Sequence, residues 1–353
     1  MARIITGGQK EYDPSALRAF FSDAFSRLAL SFEKSKVLLK PNLLSGRAPA
    51  KAVNTHPLFV QALAEVFLEK GCTVFVGDSP GYESTEKALK RSGILAVMER
   101  LKLRIAAFDK SVAKVSAGIS PYREILLGED PLDFDLVVNV PKLKTHIMMG
   151  LTAGVKNTFG FVHGLDKARW HLRCGTDSRL FAALLIDIHR VVNPTVTVLD
   201  AIMAMEGDGP SHGKPRGLGL IAVSDNALAL DAYLENLLRV AYPLPITEVA
   251  KEHGLVAESF IIDEGAPAIE DFLMPTTIRD AFSLPAVVRA TTRSLLTKKP
   301  KWREKTCNGC KTCVAVCGAG ATVLSGGKVS FDYGRCIRCY CCAEMCPVGA
   351  IVV

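Results

Sequence analysis

The cysteines are the residues of this chain whose spacing most clearly predicts chemistry. All but two of the eleven lie after residue 306, in CNGCKTCVAVCGAG (307–320) and CIRCYCCAEMCPVGA (336–350). Each stretch carries a C-x2-C-x2-C-x3-C run, and the second run repeats the first with an offset of 29 residues. Two such runs in tandem are typical of bacterial ferredoxins, in which the fourth cysteine of each run binds the cluster of the other run.

This pattern predicts two 4Fe-4S clusters. Three thiolates with two residues between successive cysteines let a tight loop hold three corners of a cube, and the fourth corner comes from the other run. Structural zinc is the alternative, but it typically uses two C-x2-C pairs separated by a longer loop. The predicted ligands are Cys307, Cys310, Cys313 and Cys346 for the first cluster, and Cys336, Cys339, Cys342 and Cys317 for the second.

Three cysteines lie outside the ligand pattern. Cys341 is a spare thiol beside the second cluster, and Cys174 lies in a polar loop without an assigned role. Cys72 begins a predicted strand and is expected to pack in the core. Gly318 follows Cys317 where a proline follows Cys346, a difference that removes no ligand. The segment TVLSGGKVSFDY between the runs predicts a short hairpin with a Gly-Gly turn.

A second group of polar residues follows the predicted strands of the long N-terminal region. Ligands of open α/β sheets bind beyond the carboxyl ends of strands. Lysines there are suited to phosphate or carboxylate groups, and histidines change charge near neutral pH. The candidate catalytic residues are Lys142, Lys144, His146 and His163, and the candidate substrate-binding residues are Lys40, Asn42, Lys156, Asn157, Arg169 and Glu206.

Simpler roles compete with these assignments. A single lysine at a strand end is usually just solvated, and His56 and His189 are expected to be structural because they lie at a helix start and on an amphipathic helix. Neither G-x-G-x-x-G nor a Walker motif is found. GDSPG (77–81) is a weak signal, which leaves Asp78 and Ser79 as candidates for lining a cleft.

The elements that would position these residues alternate along the first 265 residues. The predicted strands are 36–40, 72–78, 103–109, 134–140, 195–200 and 219–225, and the predicted helices are 56–71, 85–101, 178–192 and 227–241. Apolar strands separated by helices predict an α/β domain over 1–265, with a mostly parallel sheet covered by helices on both faces. Residues 266–305 are predicted to be a basic, proline-containing linker, and residues 306–353 a small ferredoxin-type α+β domain.

Composition and charge narrow the class of protein. Hydrophobic residues make up 49% and charged residues 22% of the chain, which is ordinary globular usage. Apolar runs are too short for a signal peptide or a membrane span, so we expect a cytoplasmic protein without membrane insertion. The net charge is +7, and the basic run 289–305 is either a solvated linker or a docking segment for an acidic partner. Nucleic-acid binding is not expected, because no recognition motif accompanies the charge.

Four segments together resemble a known family. LLKPNLL (38–44), VNVPKLKTH (138–146), GVKNTFGFV (154–162) and CIRCYCCAEMCP (336–347) look like the family called domain of unknown function 362, in its version fused to a C-terminal ferredoxin module. The resemblance extends over essentially the whole chain. It implies an iron–sulfur protein whose site contains those motif residues, but it implies no substrate.

Two functions fit these observations. In the first, an oxidoreductase takes single electrons from a low-potential donor protein and passes them to an anionic small molecule; two one-electron clusters match a two-electron reduction. In the second, the chain is an electron carrier, or a docking or maturation protein, whose α/β domain binds a protein or metabolite without reducing it. The absence of an organic cofactor motif favours the second function.

Overall fold

The chain forms one large mixed sheet and a small C-terminal module in a computed structural model, which describes residues 2–164, 166–256, 260–263, 265–275 and 297–353. The strands are β1 (Arg3–Gly8), β2 (Lys36–Pro41), β3 (Thr73–Val76), β4 (Arg104–Ile105), β5 (Val112–Val115), β6 (Glu124–Leu127), β7 (Leu136–Val140), β8 (Lys142–His146), β9 (Gly150–Thr152), β10 (Val196–Glu206), β11 (Lys214–Ser224), β12 (Ile261–Asp263), β13 (Lys301–Trp302), β14 (Thr322–Ser325), β15 (Lys328–Phe331) and β16 (Ile351–Val352). The helices are α1 (Pro14–Arg27), α2 (Pro57–Glu69), α3 (Thr85–Ser92), α4 (Ile94–Leu101), α5 (Gly154–Asn157), α6 (Asp166–Cys174), α7 (Ser178–Val192), α8 (Ala227–Leu237), α9 (Pro245–Glu252), α10 (Thr312–Ala315) and α11 (Cys341–Glu344).

The large sheet runs in the order β12-β1-β11-β10-β7-β2-β3-β4, with β8 paired to β10 and β9 paired to β8. Neighbours from β10 to β4 are parallel, whereas β11 is antiparallel to both β1 and β10. Successive side chains of a strand point to opposite faces, and in β2 Leu38 packs in one apolar core while Val37 and Leu39 pack in another. The predicted mostly parallel sheet with helices on both faces is therefore confirmed.

Helix ends follow local sequence signals. Asp177 begins α7, since its carboxylate accepts hydrogen bonds from the backbone N–H groups of Arg179 and Leu180, and Asn193 ends it in a left-handed conformation.

The prediction of one helix over 85–101 is wrong. Gly93, with φ of 82°, divides that stretch into α3 and α4.

The segment after β7 is the main departure from the expected loops. Instead of leaving the sheet, PKLKTH forms β8, which pairs with β10 on one side and with β9 on the other. Its pairing with β10 shifts register, so that Lys142 lies opposite Asp200 and Lys144 lies opposite Met205. This irregularity gives Lys142 and Lys144 different surroundings, although alternate residues of a regular strand share a face.

The C-terminal module shows its internal repeat in three dimensions. The predicted hairpin is confirmed as β14 and β15, joined by Gly326 and Gly327 at φ of 55° and 78°, which suits a tight primed turn. The backbone N–H of Ala321 donates to Cys317 Sγ at 3.2 Å, and that of Ala350, 29 residues later, donates to Cys346 Sγ at 3.1 Å. The two cysteine runs therefore fold as two copies of one loop.

The structure describes residues 266–275 and 297–305 of the predicted linker. Residues 276–296 lie outside the described residues, and so does the first part of the basic run 289–305. In the part of the chain that is described, no helix is long and apolar enough to cross a membrane.

Lys142 anchors β8 to β10 through a buried ion pair, and its loss should weaken the fold. Its Nζ lies 2.6 Å from Asp200 Oδ2 and 2.9 Å from the Tyr12 hydroxyl. We expect Lys142→Met to lower the free energy of unfolding in urea by about 3–5 kcal/mol, because it leaves a buried carboxylate without its cation. The exposed control Lys251→Met should change it by less than about 0.5 kcal/mol. Equal stability of the two variants would contradict the anchoring role.

Candidate anion-binding site beside the cysteine module

A buried ion pair at the ends of β2 and β3 forms the floor of the candidate site. Lys40 Nζ lies 2.8 Å from Asp78 Oδ1, and both side chains are almost completely buried. Burial lowers the pKa of Lys40, while Asp78 opposes the shift. Gly160 approaches so closely that an added Cβ would lie 1.9 Å from Asp78 Oδ1. Lys40 is thus paired beneath the site and holds the strand ends together.

A row of asparagine amides continues the floor. Asn42 Nδ2 donates to Asn157 Oδ1 at 2.9 Å, and Asn157 Nδ2 donates to Asn139 Oδ1 at 2.8 Å. Asn139 Nδ2 donates to the carbonyl of Gly154 at 2.8 Å. The direction of these bonds leaves Asn42 Oδ1 without a hydrogen-bond partner among the described residues.

A cavity of about 90 Å³ lies above this floor, between the strand ends and the cysteine module. One water needs roughly 10–15 Å³ on this measure, so the cavity has room for a small molecule. Val316, Cys341, Glu344 and Met345 line it from the module side. From the α/β side its polar lining is Asn42, Asp78, Ser79, Lys144, His146, Thr152, Lys156, Asn157, Lys167 and His171.

Three lysines of this lining form no salt bridge within the described ranges. Lys144 Nζ donates to the carbonyl of Val53 at 2.7 Å, and Lys167 Nζ donates to the carbonyl of Ser79. Lys156 Nζ lies over the ring of a phenylalanine, 5.5 Å from its centroid. Carbonyls and an aromatic face orient these cations, and the nearby carboxylate of Glu344 offsets only part of the charge of Lys144 and Lys156.

Burial lowers the pKa values of these lysines and so favours their neutral forms. Burial, with a smaller contribution from the charge of Lys156, lowers the pKa of Lys144 to about 7. Burial lowers the pKa of Lys167 to about 7 as well, although Asp78 opposes the shift. An anion in the cavity would offset this desolvation and favour the charged lysines. The arrangement therefore suits an anionic ligand.

His146 and Glu344 meet where the α/β body contacts the module. His146 Nδ1 accepts from the backbone N–H groups of Met148 and Met149 at 3.1 and 3.2 Å, which places the proton of a neutral ring on Nε2. Burial, together with the charges around it, lowers the pKa of His146 well below its ordinary value. Its Nε2 lies 3.1 Å from Glu344 Oε1, but the groups are not aligned as a hydrogen bond.

Four residues of the cavity wall carry buried polar atoms that have no hydrogen-bond partner within the described chain. These atoms are Asn42 Oδ1, His146 Nε2, His171 Nδ1 and Glu344 Oε1. Buried polar groups are normally satisfied, and each one left unpaired costs about 1–3 kcal/mol. A polar molecule in the cavity would satisfy them, which favours a binding site over a packing defect.

The four cysteines predicted to hold the first cluster lie near one another. Cys307, Cys310, Cys313 and Cys346 line a single small cavity. Across the described residues, no three His, Cys, Asp or Glu side chains converge on a point suited to one metal ion. The four thiols instead lie around one space, which is compatible with a cluster that several cysteines hold together.

The other predicted ligand set is also brought together. The thiol of Cys336 interacts electrostatically with those of Cys339 and Cys317, so that the last cysteine of the first run lies with the second run. Burial raises the pKa of the Cys336 thiol, and these two neighbouring thiols add to the shift. The residues therefore fit the iron–sulfur group that the sequence predicts.

Glycines allow the module to dock closely. An added Cβ at Gly318 would lie 2.9 Å from the carbonyl oxygen of Ala168 in α6, and one at Gly81 would lie 2.6 Å from Met345 Sδ. The first contact explains why glycine, and not proline, follows Cys317. Arg47 adds hydrogen bonds from its guanidinium to the carbonyls of Cys346, at 2.9 Å, and Pro347.

Most predicted site residues of the strand ends meet at the cavity. Asn42, Lys144, His146, Lys156 and Asn157 line it, and Lys40 lies beneath its floor. The GDSPG signal also located wall residues, because Asp78 and Ser79 are part of the lining.

Four predicted residues lie elsewhere. Lys142 is turned to its ion pair by the irregularity in β8, and His163 is exposed. Arg169 points outward from α6, with a side chain 80% exposed, and pairs with Asp166. Glu206, at the end of β10, pairs with Arg216 at 2.8 Å. None of these four lines the cavity.

Sequence reasoning missed Lys167 on α6 and Glu344 and Met345 on the module side. Lys167 shares a helix face with the buried residues His171 and Cys174, a spacing that could have identified it. Placing Cys174 in a polar loop was wrong, because it ends α6 and is buried, with its sulfur 3.6 Å from the Tyr122 hydroxyl.

Comparison with known proteins agrees with this architecture. The model of the family described as domain of unknown function (DUF362) matches residues 37–235, and that of the 4Fe-4S dicluster domain matches residues 301–350. The chain belongs to the DUF362 family. Within this DUF362 protein, the second match identifies the C-terminal region as a ferredoxin-type module that binds 4Fe-4S clusters.

Two further proteins are similar to this DUF362 protein. The thylakoid-associated protein sll1697 of Synechocystis sp. (strain ATCC 27184 / PCC 6803 / Kazusa) is 34% identical over 264 residues, which cover 72% of this chain and 81% of that protein. The lactate racemase apoprotein of Thermoanaerobacterium thermosaccharolyticum aligns with a TM-score of 0.44 at 10% identity. That alignment covers 68% of this chain but only 58% of the racemase.

The depressed pKa of Lys144 predicts a pH dependence of stability. Because its folded pKa of about 7 lies below its unfolded value of about 10, the unfolded state binds more protons between these limits, and stability rises with pH there. We expect wild type to gain stability relative to Lys144→Met as pH rises from 7 to 9, measured by urea unfolding, whereas Lys251→Met should follow wild type. A constant difference between wild type and Lys144→Met would contradict the shift.

Proposed function

We propose that this DUF362 protein is an iron–sulfur oxidoreductase that passes single electrons through two 4Fe-4S clusters to a small anionic molecule in the cavity. One observation carries the proposal. Val316, Cys341 and Met345 line the cavity, and each is the chain neighbour of a cysteine assigned to a cluster. A molecule in the cavity therefore lies beside the loops that hold the clusters.

The proposal of two clusters rests on the doubled cysteine pattern. The first cluster would be held by Cys307, Cys310, Cys313 and Cys346, and the second by Cys336, Cys339, Cys342 and Cys317. Such a cluster supplies one electron at a time when it is bound. Two clusters therefore match a two-electron reduction.

The lining supports a substrate class. Lys144, Lys156 and Lys167 complement negative charge, such as a carboxylate or phosphate. Glu344 Oε1 and Asn42 Oδ1 are acceptors without partners among the described residues, so they complement a hydroxyl or amino hydrogen. We therefore propose a small organic acid that carries a reducible double bond and a hydrogen-bond donor.

The reaction would add two electrons and two protons to that double bond, S + 2 e⁻ + 2 H⁺ → SH₂. A low-potential donor protein supplies both electrons, one at a time. Lys144 and Lys167 are suited to deliver the protons, because burial lowers the pKa of each to about 7 in the free site and the bound anion would favour their proton-carrying forms. His146 keeps its proton on Nε2 and would orient the substrate beside Glu344.

The alternative function is an electron carrier whose α/β domain only binds a partner or metabolite. The unpartnered polar atoms of the cavity favour the enzyme, because a carrier does not need a polar pocket beside its clusters. We propose the cytoplasm as the location, since a reducing compartment keeps the cysteines available as ligands. Contact with a membrane surface, as the name of the Synechocystis protein suggests for that relative, is compatible with the same chemistry.

The crossed ligand assignment can be tested with paired variants. Cys310→Ala with Cys346→Ala should remove one cluster and leave about half of the iron, because both residues belong to the first cluster. Cys310→Ala with Cys317→Ala should remove nearly all of the iron, because these residues belong to different clusters. Iron content and electron paramagnetic resonance of the reduced proteins measure both results, and the reverse pattern would contradict crossed ligation.

The reductase itself is tested by anaerobic reoxidation. We expect the reduced protein to recover its visible cluster absorbance when the small-molecule fraction of a cell extract is added. Lys156→Met should slow this recovery at least tenfold, about 1.4 kcal/mol, because it removes a charge from a site with a low dielectric constant. Lys251→Met should behave as wild type. Reoxidation only by the macromolecular fraction would establish the carrier instead.

A further inference from the structure

A second, open cleft lies beside the cavity and carries positive charge. Its walls include Arg47, Lys87 and Arg91, with Glu83 as the one carboxylate of the described lining. Glu83 lies 3.5 Å from Arg91, and it accepts a hydrogen bond from the backbone N–H of Gly46. One of the three cations is thus partly offset, and the cleft keeps a positive excess. We name this surface the basic cleft.

The floor of the basic cleft belongs to the cysteine module. Thr312, Met345 and Pro347 line it. Thr312 precedes Cys313, and Met345 and Pro347 flank Cys346, so every module residue of the floor adjoins a cysteine assigned to the first cluster. The cavity shares Met345 with the basic cleft, but its other module neighbours of assigned ligands, Val316 and Cys341, adjoin Cys317 and Cys342, both assigned to the second cluster.

The first cysteine run also has the more exposed edge. Cys310 is exposed, whereas the other predicted ligands are half-buried or buried. Lys305 and Lys311 are exposed near it in the chain, and α3 presents Lys87 and Lys90 to solvent beside the basic cleft. Glu86 and Glu304 are exposed in the same segments, so the surface around the first cluster loop is mixed in sign with an excess of positive charge.

We propose that the basic cleft docks an acidic electron-donor protein, beside the cysteines that would hold the first cluster. This inference rests on the proposed function. Each docking oxidises the donor by one electron and reduces the chain by one electron, and two dockings supply one turnover. Complementary charge would steer the donor to the cleft and speed its association.

The shape of the basic cleft favours a protein over a membrane. Thr312 on the floor is buried, whereas Lys87 and Lys90 on α3 are exposed, so a partner must project an acidic segment past these lysines to reach the floor. A flat bilayer would meet the exposed rim at Lys87 and Lys90 without approaching Thr312 or Pro347. The cleft therefore fits a convex acidic surface close to the donor's redox group.

The variant Lys87→Glu, on α3, tests the docking. The matched control is Lys251→Glu on α9, a helix that packs on the face of the sheet opposite to α3. The probe is an acidic flavodoxin, bound in its oxidised form to the intact cluster-loaded protein and followed by calorimetry. At low ionic strength we expect Lys87→Glu to weaken binding at least tenfold and the control to leave it unchanged. Binding of wild type should weaken as salt is added, because salt screens exposed charges.

Zero-length cross-linking gives a second readout that does not depend on turnover. A carbodiimide couples lysine amines to carboxylates, so we expect flavodoxin peptides joined to Lys87, Lys90 or Lys311 and not to Lys251. Binding that is independent of salt, or equally weakened in both variants, would overturn the proposal. Loss of binding to anionic vesicles in Lys87→Glu, with flavodoxin binding unchanged, would overturn it in favour of a membrane.

These measurements are independent of the substrate. Donor binding and cross-linking are carried out without a small molecule, so they can succeed even if the cavity reduces nothing. Conversely, chemically reduced protein can be reoxidised through the cavity even if no donor docks at the basic cleft. Failure of this inference and failure of the proposed function are therefore distinguishable.

Discussion

The site depends on one constraint. Three lysines at the edge of the sheet are buried, and they form no salt bridge within the described chain. Lys144, Lys156 and Lys167 are desolvated, and no carboxylate pairs with them as Asp78 pairs with Lys40. Such charge is costly in a closed interior. It becomes useful where an anion is to be held, because the same low dielectric constant strengthens the attraction. The neighbouring amides and histidines fix where that anion would lie.

Docking of the cysteine module completes this site. The strand ends alone would form an open cleft, and α11 closes it with Cys341 and Glu344. Small residues permit the contact, since Gly81 and Gly318 leave no room for a side chain. The arrangement gives the two cluster loops different surroundings. Neighbours of ligands assigned to either cluster line the cavity, whereas the floor of the basic cleft is lined only by neighbours of ligands assigned to the first.

Much of this organisation was predictable from sequence, and the exceptions have physical causes. The cysteine repeat and the apolar strands are local patterns, so the module, its hairpin and the parallel core followed from them. Lys144, His146, Lys156 and Asn157 could be selected because they follow strands. Lys142 was misplaced because a shift of register in one strand pair cannot be read from alternation. Glu344 was missed because its role depends on how the module packs against the α/β body.

The most direct test of the central claim is a crystal structure of the oxidised protein soaked anaerobically in the anionic small-molecule fraction of a cell extract. Oxidised clusters cannot reduce the bound molecule, so its complex should persist. The account predicts density for an organic anion in the cavity, in contact with Lys156 and close to Cys341. Well-ordered water alone in the cavity, with the organic molecule bound elsewhere, would contradict it.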